Sequence, residues 1–242
     1  MNSDNIKRIC LWSGPRNIST ALMYSFAQRS DTKVVDEPLY AHYLSVTDAA
    51  KYHPGSDETL STMENDGNKV IEKMLGPHEK DIIFFKQMTH HLRDLNLSFL
   101  SETINVILTR DPIEMLPSYD KEVKNPNMND VGYEAHEKLY NYLESINQTP
   151  LVLDSRRILE QPEDQLKKLC EILDIPFEKQ MLSWEKGPIP EDGCWANYWY
   201  SSVHKSTGFL AYKPKSEAFP EHLRDLLVKC KPIYERLSAL SF

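Results

Sequence analysis

Cysteine is scarce in this sequence. The four cysteines include no C-x-x-C pair and no other short spacing; they are Cys10, Cys170, Cys194 and Cys230. A disulfide framework or a zinc site depends on paired cysteines or on ligands at short spacing. The sequence therefore predicts neither disulfide bonds nor a metal centre.

Long apolar runs are also missing. The opening stretch MNSDNIKRIC lacks the apolar core of a secretion signal, and no run approaches the ~20 apolar residues of a membrane span. These absences predict a cytoplasmic protein with no membrane partner.

An excess of basic residues is absent as well. The chain has 28 Lys and Arg against 36 Asp and Glu, for a formal net charge of -8. This balance argues against a nucleic-acid partner or a long anionic polysaccharide, because both favour broad basic surfaces. It leaves room for a small anionic ligand in one local basic pocket.

Short β-branched or aromatic runs alternate with longer patterns of helical period. The predicted strands are Arg8–Trp12, Lys33–Val35, Asp81–Lys86, Asn105–Thr109 and Pro150–Leu153. The predicted helices are Ser19–Gln28, Asp57–Leu75, Ile113–Lys121, Tyr133–Asn147, Glu163–Leu173 and Glu221–Leu240. Compact apolar strands between helices indicate a central parallel sheet covered on both faces, which is a three-layer α/β/α fold. Ligands of such folds bind beyond the carboxyl ends of the strands.

We expect residues 1–242 to form a single domain. Its C-terminal third is predicted to be rich in loops at about 184–216 and to end in a helix. Within that third, the stretch CWANYWYSSVH is dense in aromatic residues and is interpreted as core, as a lid or as a wall of an acceptor site.

The stretch IKRICLWSGPRNISTALMYSF runs from the first predicted strand through a Gly-Pro turn into the first helix. Ser19 and Thr20 stand where the Walker pattern G-x-x-x-x-G-K-[ST] needs Gly and Lys, so that pattern is absent. The unpaired N–H groups of a helix N-terminus still suit an anion, and Arg16 adds a planar donor fork. The alternative is a helix capped by Ser or Thr with an exposed arginine.

The stretch INVILTRDPIEMLPSY places Arg110 at the carboxyl end of the fourth predicted strand and Ser118 eight residues later. Alone, Arg110 is interpreted as a solvated charge. Because both residues share a sheet edge with the opening loop, the two donor groups match a ligand with two anionic ends.

This combination resembles the sulfotransferases that use 3′-phosphoadenylyl sulfate (PAPS). In that family a P-K-[ST]-G-T-T-like loop binds the 5′-phosphosulfate, and a later R-x-P…S element binds the 3′-phosphate. The first element here reads PRNIST and the second reads RDP followed by Ser118; the stretch LVLDSRRILEQPEDQLKKLCEILDIPF extends the likeness to Phe177. The resemblance implies a P-loop NTPase-like sulfotransferase fold, PAPS as co-substrate, and contacts to it from Arg16, Asn17, Ser19, Thr20, Arg110 and Ser118.

The sequence departs from this family at three places. Arg16 replaces the usual lysine but keeps its charge, and Ile18 replaces the usual glycine. A branched residue is less free to adopt positive φ, so we expect the loop to curve differently there. The late glycine-rich element is reduced to HKSTGFLAY, in which Lys205, Ser206, Thr207 and Gly208 are candidate 3′-phosphate contacts; the alternative is an ordinary polar loop.

Two residues are candidates for the base that takes the acceptor proton. Glu37, just past the second strand, resembles the base of several carbohydrate-type members, while His90, after the third strand, resembles the base histidine of cytosolic-type members. His91 adjoins His90, and Lys86 is placed to aid the leaving phosphate or to pair with Glu37. The structural alternatives are a strand that ends at an E-P pair and a solvated loop with two histidines.

The sequence thus predicts an enzyme that moves a sulfuryl group in line from PAPS to a small hydroxylated acceptor, without a metal. Arg16 would polarise the phosphosulfate, and Glu37 or His90 would act as the base. One rival is a nucleotide kinase or NTPase of related fold, which the missing G-K-[ST] disfavours. A second is a non-catalytic nucleotide-binding protein. The sequence leaves the acceptor and the oligomeric state open.

Overall fold

A parallel β-sheet forms the centre of the molecule. The computed structural model describes residues 6–214 and 217–242. Within these residues the sheet has five strands in the order β2-β3-β1-β4-β5; they are β1 (Lys7–Ser13), β2 (Thr32–Asp36), β3 (Ile82–Met88), β4 (Ile104–Thr109) and β5 (Leu151–Asp154). All neighbouring strands pair in parallel. Each predicted strand is present, with ends that differ by at most two residues.

Helices connect the strands and follow the last one. The α-helices are α1 (Ser19–Ala27), α2 (Tyr40–Val46), α3 (Ser56–Thr62), α4 (Gly67–Leu75), α5 (Pro112–Tyr119), α6 (Met128–Val131), α7 (Tyr133–Ser145), α8 (Ser155–Glu160), α9 (Pro162–Ile172), α10 (Ala196–Trp199), α11 (Ser201–His204) and α12 (Arg224–Ala239). Short 3₁₀ helices lie at Asp48–Lys51, Thr89–His91, Leu97–Glu102, Lys179–Leu182 and Glu221–Leu223.

The helix predictions are mostly confirmed, with one clear correction. The predicted helix Asp57–Leu75 is two helices, α3 and α4. Met63 has extended backbone at the end of α3, and Asp66 caps α4 by accepting from the Asn68 amide at 3.0 Å. Because an N-cap residue must be non-helical, these local preferences break the continuous pattern.

Both faces of the sheet are buried, which explains the apolar strands. Leu11 and Trp12 are consecutive in β1 and both almost fully buried, but they point to opposite faces. Apolar residues of α1 and α9 pack on the Leu11 face, and those of α4 and α7 pack on the Trp12 face. The predicted three-layer arrangement with a parallel sheet is therefore confirmed.

The predicted loop-rich segment 184–216 contains two short helices, α10 and α11. An antiparallel bridge between Ser183 and Gly208 closes it against the preceding chain, and residues 215 and 216 lie outside the described residues. Among residues 6–214 and 217–242, no helix combines the length and the apolar character needed to cross a membrane.

Candidate functional site

A cavity of about 330 Å³ lies at the carboxyl edge of the sheet. It brings together ten of the predicted site residues: Arg16, Asn17, Ser19, Thr20, Glu37, His90, Arg110, Ser118, Ser206 and Gly208. Lys205 and Thr207 are exposed and are not part of its lining. Side chains from loops after β1, β2 and β4 thus converge, as the parallel topology requires.

The loop after β1 contains two residues with left-handed backbone conformation. Arg16 has φ 59° and Ile18 has φ 63° with ψ 15°. Ile18 therefore adopts a positive φ, although a branched residue is less free to do so. Such a backbone costs a branched residue on the order of 1–2 kcal/mol, which the surrounding packing must offset.

This loop presents the open start of α1 to the cavity. The first bond of the helix runs from the Leu22 amide to the Ile18 carbonyl at 3.2 Å, so the amides of Ser19, Thr20 and Ala21 have no partner within the helix. Ile18 is the N-cap and supplies no side-chain cap. These unpaired amides and the helix dipole make the position suitable for an anion.

Asn17 holds the loop in place rather than reaching outward with its amide nitrogen. Its Nδ2 donates to the Leu108 carbonyl of β4 at 3.1 Å, and its carbonyl accepts from Ser155 Oγ at 2.9 Å. The loop is thereby fixed to strand β4 and to the start of helix α8.

Arg16 crosses the cavity towards two other elements. Its Nε donates to Ser118 Oγ on α5 at 3.2 Å, and its Nη1 donates to the Trp199 carbonyl of α10 at 3.4 Å. Burial lowers the pKa of Arg16 below its ordinary value; Glu122 opposes this shift and Arg110 adds to it. The group stays cationic because arginine has so high an ordinary pKa.

Arg110 joins the two predicted phosphate elements. Its Nη1 donates to the Arg16 carbonyl at 2.7 Å, and its Nε and Nη2 both face Oε2 of Glu114 at 3.4 Å. Tyr133 Oη donates to the Arg110 carbonyl at 2.7 Å. Both predicted arginines are therefore held by fixed partners.

Glu37 belongs to a buried polar cluster, which we call the Asp36 cluster: Asp36, Glu37, Lys86 and Tyr200. Lys86 Nζ donates to Asp36 Oδ1 at 2.9 Å, and also to Glu37 Oε1 and to Tyr200 Oη. Tyr200 Oη donates to the two Asp36 oxygens, at 2.9 and 2.8 Å. Lys86 pairs with Glu37, which was one of its two predicted roles.

Two carboxylates and one ammonium in a buried cluster perturb each other. Burial raises the pKa of Glu37; Lys86 opposes this and the Asp36 charge adds to it. For Lys86 burial lowers the pKa, but Asp36 and Glu37 together outweigh burial, so its pKa is raised. Glu37 is thus a stronger base than an ordinary glutamate, and Lys86 remains charged.

The two histidines after β3 are held in an aromatic environment. His91 stacks between Tyr40 and Tyr43, with ring centroids 5.0 and 4.8 Å away. Its Nε2 lies 4.0 Å from Glu37 Oε2. Burial lowers the pKa of His91 well below its ordinary value and that of His90 to about 3, so both rings are neutral at pH 7.

Sequence reasoning missed Asp36 and Tyr200 as members of this cluster. Asp36 directly precedes Glu37 at the end of β2, which could have indicated that it belongs to the site. Tyr200 lies in the aromatic stretch CWANYWYSSVH. Their contact joins residues 164 positions apart, and no local pattern encodes that pairing.

Within the part of the chain that the structure describes, no three His, Cys, Asp or Glu side chains are grouped to hold a metal ion. Of the cations that line the cavity, Arg16 and Arg110 face an anionic ligand, whereas Lys86 is paired with Asp36 and Glu37.

Comparison with known proteins identifies the class. The family described as Sulfotransferase domain matches residues 7–241, and the chain belongs to this family. Two curated relatives from Arabidopsis thaliana, branched-chain-amino-acid aminotransferase-like proteins 2 and 1, are each 42% identical over 228 residues. The match covers 93% of this chain and 40% of each relative, so the chain spans less than half the length of these proteins.

Solved structures agree with this class at the level of the fold. The sulfotransferase domain from the curacin biosynthetic pathway matches with a TM-score of 0.57 at 14% identity, over 96% of this chain and 98% of the other. A sulfotransferase from Alicyclobacillus acidocaldarius matches with a TM-score of 0.52 at 12% identity, over 97% of this chain and 95% of the other. The predicted family and fold are both confirmed.

Proposed function

We propose that the chain transfers a sulfuryl group from PAPS to a hydroxyl group of a small acceptor. The observation that carries this proposal is that one cavity holds the open start of α1, two arginines and a buried carboxylate of raised pKa. The residues suit a donor with anionic groups at both ends. A volume of about 330 Å³ is within the range of sites for one small ligand.

The donor would lie across the strand ends with its 5′ phosphosulfate at the loop after β1. The free amides at the start of α1 and the hydroxyls of Ser19 and Thr20 would bind its oxygens. Arg16 would polarise the sulfuryl group and stabilise the charge that develops on the leaving phosphate. Arg110 and Ser118 would hold the 3′-phosphate.

Transfer forms a bond between the acceptor oxygen and sulfur and breaks the bond between sulfur and the bridging phosphate oxygen. The acceptor proton passes to the base, and 3′,5′-adenosine bisphosphate leaves. As in phosphoryl transfer, positioning and charge stabilisation do most of the catalytic work.

Glu37 is the better of the two predicted bases. An efficient base has a pKa near the working pH, and burial moves the pKa of Glu37 upward, towards that range. Burial moves the pKa of His90 to about 3, away from it. His90 then serves as a neutral hydrogen-bonding group beside the acceptor.

Binding of 3′,5′-adenosine bisphosphate, compared with ATP, tests the donor. A ligand that binds only the native state at 100-fold its dissociation constant adds about 2.7 kcal/mol to the free energy of unfolding, which a thermal-shift assay detects. A shift with ATP and magnesium, but none with the bisphosphate, would favour a kinase or NTPase. Binding of the bisphosphate without transfer of ³⁵S-labelled sulfuryl to any acceptor in a panel of small alcohols and phenols would favour a non-catalytic binding protein.

A further inference from the structure

Arg110 has three directed contacts, which leave part of its guanidinium for a ligand. Nε and Nη2 face the same Glu114 oxygen at 3.4 Å, and Nη1 donates to the Arg16 carbonyl at 2.7 Å. A guanidinium carries five N–H groups, so one remains on each terminal nitrogen beyond these contacts. A guanidinium binds a phosphate through two oxygens with N–H groups of this kind.

Glu114 is itself held from both sides. Its Oε2 faces Arg110, and its Oε1 accepts from Tyr212 Oη at 2.6 Å. The residue is 7% exposed and lies in the first turn of α5, where the helix dipole favours a carboxylate. Tyr212 in turn stacks under Arg156, whose guanidinium carbon lies 4.6 Å from the ring centroid. Each carboxylate oxygen has its own partner, which fixes the direction of the carboxyl group.

We propose that Glu114 is a positioning residue that orients Arg110 and so sets the preference for nucleotides with a 3′-phosphate over those without one. This role rests on the proposed function, because it takes Arg110 as the 3′-phosphate contact. Glu114 uses the side edge of the guanidinium, formed by Nε and Nη2, and leaves the end edge to the ligand. The two anions therefore bind the same cation without sharing a hydrogen.

Charge alone would have the opposite effect, because a carboxylate near a phosphate repels it. The repulsion acts in a partly solvated cavity, where screening weakens it. Orientation acts directly on a bidentate contact, whose strength depends on the direction of its N–H groups. The sign of the effect of removing the Glu114 charge therefore distinguishes a positioning residue from a competing anion.

The experiment measures the dissociation constants of 3′,5′-adenosine bisphosphate and of adenosine 5′-monophosphate by calorimetry. The dissociation constant of the monophosphate divided by that of the bisphosphate isolates the contribution of the 3′-phosphate. A merely structural role of Glu114 would leave this ratio unchanged. The variants are Glu114→Gln and Tyr212→Phe, and the matched control is Glu171→Gln, an exposed glutamate on α9. Thermal unfolding confirms that each variant is folded.

We expect Glu114→Gln to reduce this ratio about tenfold, with the affinity for the monophosphate unchanged. Tyr212→Phe removes only the hydroxyl that donates to Glu114 Oε1 and should reduce the ratio by a smaller factor. It also tests the proposal if Glu114→Gln does not fold. The control should match the unaltered protein. An unaltered protein with no preference for the bisphosphate would overturn the proposed donor, and this role with it. A clear preference that Glu114→Gln retains or increases would overturn the role of Glu114 alone.

Discussion

Arg16 Nε donates to Ser118 Oγ over 3.2 Å, which joins the loop after β1 to helix α5. The contact links the two elements that sequence comparison assigned to opposite ends of one donor. A planar guanidinium can hold Ser118 and the Trp199 carbonyl together, whereas the ammonium of a lysine is a point charge on a flexible stem.

Two replacements of Arg16 distinguish the effect of its positive charge from the effect of its planar guanidinium. Arg16→Ala should lower kcat for sulfuryl transfer by about 10²–10³, the usual effect of losing one donor to developing charge. Arg16→Lys keeps the charge and should retain part of the rate. Initial rates with ³⁵S-labelled PAPS measure both. Equal losses in the two variants would show that the charge of Arg16 is not what matters.

Glu37→Gln should lower kcat by about 10²–10⁴, because it removes the proposed base. A base must be deprotonated to act, so kcat/KM of the unaltered enzyme should fall as the pH drops through the pKa of Glu37. Since that pKa is raised, the fall should begin above the range of an ordinary glutamate. Glu37→Gln should remove this limb of the pH profile.

His90→Ala is the comparison for Glu37→Gln. The pKa of His90 is lowered to about 3, so a limb due to His90 would lie near that pH. His90→Ala should therefore keep the limb seen in the unaltered enzyme. Loss of the limb in His90→Ala, with normal turnover in Glu37→Gln, would transfer the base role to the histidine.

Lys86→Met should lower the free energy of unfolding by about 3–5 kcal/mol at pH 7, because it leaves two buried carboxylates without their cation. In this variant the raised pKa of Glu37 would lose the opposing effect of Lys86, so the folded state would bind more protons than the unfolded state. Its stability should therefore recover as the pH falls from 7 to 5. Urea unfolding at both pH values measures the effect, with Lys33→Met, an exposed lysine of β2, as control. A loss that does not depend on pH would contradict the electrostatic account.

At position 18, glycine should give a more stable protein than alanine, which is the reverse of the usual order in helices. At an ordinary exposed helix position such as Lys168, alanine is more stable than glycine by about 0.5–1 kcal/mol. Ile18 has φ 63°, a conformation that costs alanine but not glycine, so Ile18→Gly should be more stable than Ile18→Ala by about 1 kcal/mol. Thermal unfolding of the alanine and glycine variants at Ile18 and at Lys168 measures both differences. Alanine more stable than glycine at both positions would contradict a strained loop.

We expect His136 to make the stability of the fold sensitive to acid. It is fully buried beside Gly14, and burial lowers its pKa to about 4. A histidine with a lowered folded-state pKa binds fewer protons than in the unfolded state, so stability is lost as the pH falls from about 6.5 to 4. The expected loss due to this group is about 3 kcal/mol, and His136→Phe should not show it. If the unaltered protein and His136→Phe lose equal stability in acid, a group other than His136 causes the loss.

The parallel sheet and its five strands were accessible from sequence because the central strands are buried on both faces. A run such as Ile82–Phe85 is apolar throughout and short, which distinguishes it from an amphipathic helix. Helix α2 was not predicted. Its residues Tyr40 and Tyr43 are weak helix formers, and packing against His91 supports them where intrinsic preference does not.

Within the site, the residues at strand ends were predictable and their partners were not. Arg110 and Glu37 follow strands directly, so a parallel topology brings them to one edge. The contact from Arg110 to the Arg16 carbonyl and the place of Tyr200 beside Asp36 depend on how distant segments pack. The left-handed Ile18 shows that local preference can also point the wrong way where the rest of the loop determines the backbone.

The Asp36 carboxylate also accepts from the Gly193 amide at 3.1 Å, in addition to Tyr200 Oη. The Asp36 side chain thus holds both ends of segment 193–200 by hydrogen bonds. Asn197 and Tyr198 lie between these two hydrogen-bonded residues and are exposed. These two exposed positions can therefore vary without loosening the cluster that holds Glu37.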